Sequence, residues 1–277
     1  MKLVGIREGR RVDVAVQIGD RVTPIADVGD FYADLDHWLP QARRTDTGLL
    51  PVSHVDLAPP VPPSARVVCI GLNYRAHAAE GGFTPPEHPT VFGRWAASLT
   101  AGGTPAPVPA GEPGLDWEGE VAAVVGRRLT DADETSAAAA VLGYAAFNDL
   151  TARTAQKLTA QWTLGKNADR SGPMGPLVTA DEVGDLADGL RVRTRVNGET
   201  VQDGNTRDMI FSVGELLSRI SRTFTLEPGD VLATGTPEGV GYVRKPPRFL
   251  GPGDVVEVEI DRLGVLRTPV VGPDQRP

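Results

Sequence analysis

The chain has 277 residues, 40% of them hydrophobic and 23% charged, which is enough apolar material for a packed core and excludes global disorder. Acidic residues outnumber basic ones by 36 to 28, and the formal charge of -8 argues against nonspecific nucleic-acid binding and against docking on an anionic membrane. Cys69 is the single cysteine, so an intrachain disulfide is excluded.

The first residues, "MKLVGIREGRRVDVAV", place charges where a signal peptide needs an apolar run. No apolar run approaches the roughly 20 residues that a membrane-spanning helix requires. Together with the lone cysteine, which fits a reducing compartment, these features predict a cytoplasmic protein that binds neither nucleic acid nor membrane.

The first fifty residues predict short strands at "KLVGI", "VDVAVQI" and "RVTPI", followed by a helix at "DFYADLDHWL". Prolines at positions 51, 59, 60, 62 and 63 then predict a stiff, extended connector. We therefore expect a small β-rich N-terminal module with its Pro-rich linker over residues 1–62 and the main domain over residues 63–277.

The main domain opens with the strand-like "RVVCIGLNY" and continues into a Gly- and Pro-rich stretch over residues 74–89. Helices are predicted over residues 133–140, 150–160 and 209–222, a strand at "GYAAFND", and strands with turns in the C-terminal part. The chain lacks the regular strand–helix alternation of a doubly wound sheet. The expected fold class is α+β, mainly β.

Two glutamates in "LDWEGEVAAVVG" carry the first chemical signal. Residues two apart on a strand face the same side, so Glu118 and Glu120 are either exposed on an edge strand or gathered around a positive charge. Asp149, in "FNDLTAR" at the end of another apolar segment, adds a third carboxylate. A set of oxygen donors alone favours Mg²⁺, Mn²⁺ or Ca²⁺ over zinc.

The pair His77 and Glu80 in "HAAE" carries the second signal. On a helical turn the two side chains share one side, and a carboxylate that orients an imidazole makes a general base near neutral pH. The alternative is an exposed histidine and glutamate on a loop. Their Gly- and Pro-rich surroundings suit a lid that orders over a ligand.

Two further segments are candidates. Lys166 in "QWTLGKNADRSGPMGP" is either a solvated lysine or a cation that stabilises a developing enolate. The turn "ATGTPEGVG" is either structural or a binding loop for a small carboxylate, and it lacks the terminal lysine of a nucleotide-binding loop.

Six segments in order resemble the fumarylacetoacetate hydrolase family from about Arg66 to about Val271: "GLNYRAHAAE", "LDWEGEVAAVVG", "FNDLTARTAQ", "QWTLGKNADRSGPMGP", "VNGETVQDGNTRDMIF" and "LEPGDVLATGTPEGVG". The resemblance implies a catalytic domain folded as a mixed β-sandwich or roll with few helices, in a homodimer. The matching positions imply a divalent ion, Mg²⁺ or else Mn²⁺ or Ca²⁺, on Glu118, Glu120 and Asp149, an acid–base pair of His77 and Glu80 on a lid, Lys166 near the substrate, and substrate contacts from Gln156 and Thr236.

Arg94, in "VFGRWAASL", departs from the lysine that many members of the family carry there. Because arginine binds carboxylates with two parallel hydrogen bonds, we expect Arg94 to contact substrate and to alter its choice. The expected reaction is hydrolysis of a C–C bond in a small acylpyruvate or 1,3-diketo acid through an enolate held at the metal. Isomerisation or hydration of 2-hydroxymuconate-type acids, oxaloacetate decarboxylation and noncatalytic capture of a dicarboxylate are the alternatives.

Overall fold

The protein is described by a computed structural model that covers residues 1–80, 82, 84 and 87–275. Residues 81, 83, 85 and 86 of the expected lid lie outside the described residues. The strands, numbered in chain order, are β1 (Lys2–Glu8), β2 (Arg11–Ile18), β3 (Arg21–Asp27), β4 (Leu50–Pro51), β5 (Asp56–Ala58), β6 (Arg66–Gly71), β7 (Thr90–Trp95), β8 (Leu99–Ala101), β9 (Ala106–Pro107), β10 (Gly119–Val125), β11 (Val141–Asn148), β12 (Gly172–Met174), β13 (Leu177–Thr179), β14 (Arg191–Val196), β15 (Glu199–Asn205), β16 (Val231–Ala233), β17 (Val255–Ile260) and β18 (Gly264–Val271).

The helices are short, and they are fewer than the strands among the described residues. This confirms the expected fold class, α+β and mainly β. They are α1 (Val28–Ala33), α2 (Leu35–Arg44), α3 (Arg75–Glu80), α4 (Glu134–Ala139), α5 (Arg153–Gln156), α6 (Thr163–Lys166), α7 (Ala180–Val183) and α8 (Val213–Ser221). No helix of the described residues is long and apolar enough to cross a membrane.

Side-chain caps explain where the predicted helices differ from the observed ones. The helix expected over 30–39 is divided into α1 and α2 because Asp34 accepts a hydrogen bond from the His37 amide and starts a new helix. Similarly, Ser212 accepts from the Glu215 amide, so α8 begins after it rather than at residue 209. The helix expected over 150–160 is wrong in length, because only α5 forms there.

Thirteen strands of the described chain form one mixed sheet whose main path runs β4-β3-β2-β1-β13-β11-β10-β16-β6-β7. The N-terminal strands are part of it, since Leu3 of β1 pairs with Leu177 of β13. One apolar core also includes side chains from both regions, such as Val14 and Phe147. The boundary expected near residue 62 stays a prediction.

A second sheet, with the order β15-β14-β17-β18-β9, lies against one face of the first. All seven residues of β10 are buried, as expected of a strand covered on both faces. Val121, Ala123 and Val125 pack with the second sheet and with α8. The opposite face of β10 packs in the core with the N-terminal strands. The start of this central strand is where the three predicted carboxylates meet.

Candidate active site

The register of two neighbouring strands brings the three carboxylates together. Glu118 and Glu120 face one side of β10, while Gly119 between them faces the second sheet, where a Cβ would lie 2.3 Å from Thr194 Oγ1. The amide of Asp149, just after β11, donates to the carbonyl of Glu118 over 2.9 Å. As a result, carboxylate oxygens of the three acids lie within 4.8 Å of one another.

Buried cations surround these acids. Lys166 Nζ lies 2.6 Å from Glu118 Oε2 and 2.5 Å from Asp149 Oδ2. Arg94 pairs with the other oxygen of Asp149, and Arg153 Nη2 donates to Glu118 Oε1 over 2.6 Å. Each carboxylate oxygen named here is thus held by a nitrogen at a fixed place.

The charges do not cancel fully. Four buried carboxylates (Asp116, Glu118, Glu120, Asp149) face three buried cations (Arg94, Arg153, Lys166). Burial raises the pKa of Glu118, but Lys166 and Arg153 outweigh this and lower it to about 2. Burial, then the charges of Asp149 and Glu118, raise the pKa of Glu120 well above its ordinary value. Glu120 is therefore the acid of this cluster that most favours its protonated form, and its Oε2 accepts a 3.0 Å hydrogen bond from the Gly235 amide.

Asp116 and Arg153 are site residues that the sequence reasoning did not single out. Asp116 accepts from Arg153 Nε over 2.8 Å and from the amides of Gly241 and Tyr242 over 2.6 and 3.1 Å. It thereby ties the turn after β16 to the start of β10. The available signal was the alternation itself, since Asp116 continues the two-residue spacing of Glu118 and Glu120.

The predicted acid–base pair lies on α3. Nδ1 of half-buried His77 is 3.5 Å from Glu80 Oε2, a loose contact at the limit of a hydrogen bond. Both oxygens of Glu80 accept from the Gly239 amide at 3.1 Å. Glu80 is therefore fixed to the same turn that Asp116 holds, and the predicted segment "ATGTPEGVG" connects the pair to the carboxylates.

A cavity of about 320 Å³ opens beside this cluster. Of the predicted residues, those that line it are His77, Glu118, Glu120, Gln156, Lys166 and Thr236. Asp149 is fully buried, and Glu80 reaches the cavity through its contact with His77. Four of the predicted acid, base and metal-binding residues therefore line one small cavity, and Glu80 and Asp149 contact residues that do.

Arg94 lies elsewhere than the sequence led us to expect. It is not among the described residues that line the cavity. Its guanidinium donates to Asp149, Ser98 Oγ, Ser171 Oγ and the Leu150 carbonyl. Its five N–H groups are directed at these protein acceptors, so its geometry suits positioning of Asp149 rather than contact with a ligand.

Gln156 and Thr236 face the cavity but are also held by the protein. Gln156 Oε1 accepts from Arg153 Nη1 over 3.0 Å, which leaves its amide nitrogen without an assigned contact among the described residues. The Thr236 hydroxyl donates to the Gly119 carbonyl over 2.9 Å and accepts from Gln202 over 2.8 Å. Gln202 is a further supporting residue, and it lies in the segment "VNGETVQDGNTRDMIF" without having been singled out there.

Comparison with known proteins places this geometry in a family. The sequence pattern of the fumarylacetoacetate (FAA) hydrolase C-terminal region matches residues 66–271. A mitochondrial oxaloacetate tautomerase of Xenopus laevis is 42% identical over 233 residues, covering 83% of this chain and 73% of the relative.

Two solved structures extend the comparison. A 5-carboxymethyl-2-hydroxymuconate delta-isomerase from Mycobacterium smegmatis is similar with a TM-score of 0.78 and 32% identity, covering 98% of this chain and 99% of that one. A fumarylpyruvate hydrolase from Pseudomonas aeruginosa, in complex with Mn²⁺ and pyruvate, has a TM-score of 0.68 and 36% identity, covering 78% and 91%.

Proposed function

The chain belongs to the fumarylacetoacetate hydrolase family, and on that premise we propose that it is a metal-dependent tautomerase of small 2-oxo acids, with oxaloacetate as the first substrate to test. The observation that carries the proposal is the shared cavity of Glu118, Glu120, His77 and Lys166. Keto–enol interconversion has two requirements. One is an acid–base group that moves a proton, and the other is a positive charge beside the enolate oxygen. The similarity to an oxaloacetate tautomerase supports testing tautomerisation before other reactions.

The residues fit a hard divalent cation. Glu118, Glu120 and Asp149 are buried, offer oxygens within 4.8 Å of one another and include no sulfur or imidazole donor. A Mg²⁺ or Mn²⁺ ion held there would supply a Lewis acid for the oxygens of a 2-oxo acid. It would also add positive charge beside the buried acids, which favours binding of an anionic substrate.

The protein groups supply the proton transfer. His77, oriented by Glu80, takes a proton from C3 of the keto acid while the C3–H bonding pair becomes the C2–C3 double bond and the C2 oxygen takes the negative charge. An ammonium has three N–H donors. Two on Lys166 bind Glu118 and Asp149, so the third is available among the described residues for that oxygen. Transfer of the proton from protonated His77 to that oxygen gives the enol and restores the imidazole as a base.

Hydrolysis of an acylpyruvate is the second candidate, favoured by the same His77–Glu80 pair and by the similar fumarylpyruvate hydrolase. In that reaction His77 takes its proton from water instead, and the hydroxide attacks the distal carbonyl. The adjacent C–C bond then breaks, its bonding pair forms the enolate, and the acyl part leaves as a carboxylic acid. Both reactions leave an enolate at the same place, so the carboxylates do not separate them. The homodimer and the cytoplasmic location expected from the sequence stay predictions.

Product analysis separates the candidates. Protein loaded with Mg²⁺ or Mn²⁺ is given enol-oxaloacetate, an acylpyruvate and, to follow decarboxylation, oxaloacetate. We expect accelerated loss of the enol absorbance without release of pyruvate and only slow cleavage of the acylpyruvate. Rapid acylpyruvate cleavage with uncatalysed ketonisation would replace the tautomerase by the hydrolase.

A further inference from the structure

Three cations line the cavity: Arg153, Lys157 and Lys166. The first and last are already paired with Glu118. Lys157, the residue that directly follows α5, is exposed at the rim and forms no ion pair with any carboxylate of the described residues. It is the cavity's one cation, within the described chain, whose charge is uncompensated.

An aromatic ring holds Lys157 in place. Its Nζ lies 4.1 Å from the centroid of the Tyr242 ring, within the range of a cation–π contact. Cζ of Arg153 lies 4.9 Å from the same centroid, and the Tyr242 amide donates to Asp116. The ring thus contacts both the rim lysine and Arg153, and Arg153 is itself paired with Asp116 and Glu118.

A ligand carboxylate that enters this cavity needs a cation that is not already neutralised. Apolar side chains, among them Ile70, Phe92 and Trp162, form other parts of the wall. We propose that Lys157, positioned by Tyr242, binds the second carboxylate of a dicarboxylic 2-oxo acid and makes the enzyme prefer dicarboxylates to monocarboxylates. The inference rests on the proposed function in one respect, namely the orientation of the substrate, which places its 2-oxo acid end at Glu118 and Glu120.

Oxaloacetate and 2-oxobutyrate test this directly, because they differ only in a terminal carboxylate or methyl group. Each is titrated into Mn²⁺-loaded protein, with binding read from the water-proton relaxation of the ion. K157M should raise the Kd of oxaloacetate about tenfold, as expected for loss of a charge-assisted contact, and leave that of 2-oxobutyrate within about twofold. K157R should keep most of the affinity for oxaloacetate. The difference in oxaloacetate affinity between wild type and K157M should shrink as salt is added.

Controls separate charge from position. K2M removes a lysine of β1 that does not line this cavity, so it should leave the Kd of both ligands unchanged. Y242L, which removes the ring that positions Lys157, should weaken the binding of oxaloacetate selectively. The inference is overturned if K157M affects both ligands equally or neither. Selective binding without keto–enol turnover would instead overturn the proposed function and leave the role of Lys157 standing.

Discussion

Lys166 Nζ lies 2.5 Å from Asp149 Oδ2 and also contacts Glu118, so one buried ammonium links two of the three proposed metal ligands. An internal cation therefore holds these two acids together. The same two carboxylates would also hold the proposed divalent ion, so Lys166 and the ion would share these acids. This relationship connects stability, metal binding and catalysis in a single contact.

Removing that cation should destabilise the metal-free protein. K166M leaves two buried carboxylates without their shared partner, and loss of one member of a buried ion pair costs about 3–5 kcal/mol. Mn²⁺ should recover most of the loss by replacing the missing charge. Urea unfolding with chelator and with Mn²⁺ measures both, with K2M as the control. Equal stability of K166M and wild type in chelator would show that the lysine does not hold the acids.

Arg94 should act through Asp149. R94K keeps the charge but loses the paired hydrogen bonds of the guanidinium, so Mn²⁺ affinity should fall while the KM for substrate changes little. R94M should lower both Mn²⁺ affinity and the free energy of unfolding. Calorimetric titration with Mn²⁺ and steady-state kinetics measure the two quantities. A higher KM with unchanged metal affinity would restore the direct substrate contact that the sequence suggested.

Glu80 should matter for proton transfer and not for the metal. E80Q weakens the orientation of His77, and loss of acid–base assistance typically costs about 10²- to 10⁴-fold in rate. We expect kcat to fall by that order with Mn²⁺ affinity unchanged. E8Q, at the end of β1, is the matched control. Full turnover by E80Q would mean that another group moves the proton.

Metal binding should release a proton. Because the pKa of Glu120 is raised by burial and by its neighbouring acids, the folded metal-free protein holds this proton at a pH at which an unfolded glutamate has lost it. The stability contribution of this group accordingly falls as pH rises above the unfolded value. Mn²⁺ displaces the proton, so affinity should tighten with pH until Glu120 is ionised.

Calorimetry in two buffers of different ionisation enthalpy counts the protons released on Mn²⁺ binding. E120Q has no such proton to lose and should bind more weakly with little dependence on pH. If the wild type releases no proton and its affinity is constant across neutral pH, Glu120 is either already ionised or not a ligand.

Much of the site was predictable because strand alternation is local. The spacing of Glu118 and Glu120 fixes their common face, and an apolar run followed by Asp149 places a third acid at a strand end. The buried cations were harder to foresee, since Arg94 and Lys166 reach Asp149 only through pairing and packing between distant segments. The local sequence does not distinguish an arginine that binds substrate from one that positions a metal-binding carboxylate.

The fold was predictable to a similar degree. The apolar segments of the first fifty residues identified β1, β2 and β3, and the overall class was confirmed. The helix expected over residues 150–160 was too long because its apolar residues do not share one environment: Leu150 and Ala152 are buried in a core cluster, whereas Leu158 is 67% exposed. Likewise, the Pro-rich connector did not disclose that β1 pairs with β13, because strand pairing between distant segments leaves no local mark.

The central claim is that three carboxylates hold a divalent ion on which activity depends. The most direct measurement is the initial rate of oxaloacetate keto–enol interconversion by exhaustively chelated protein as Mn²⁺ is added back. We predict no catalysis in chelator, recovery that saturates at one ion per chain, and no recovery at that ratio in D149N. Undiminished catalysis by protein shown to contain no metal would contradict the account.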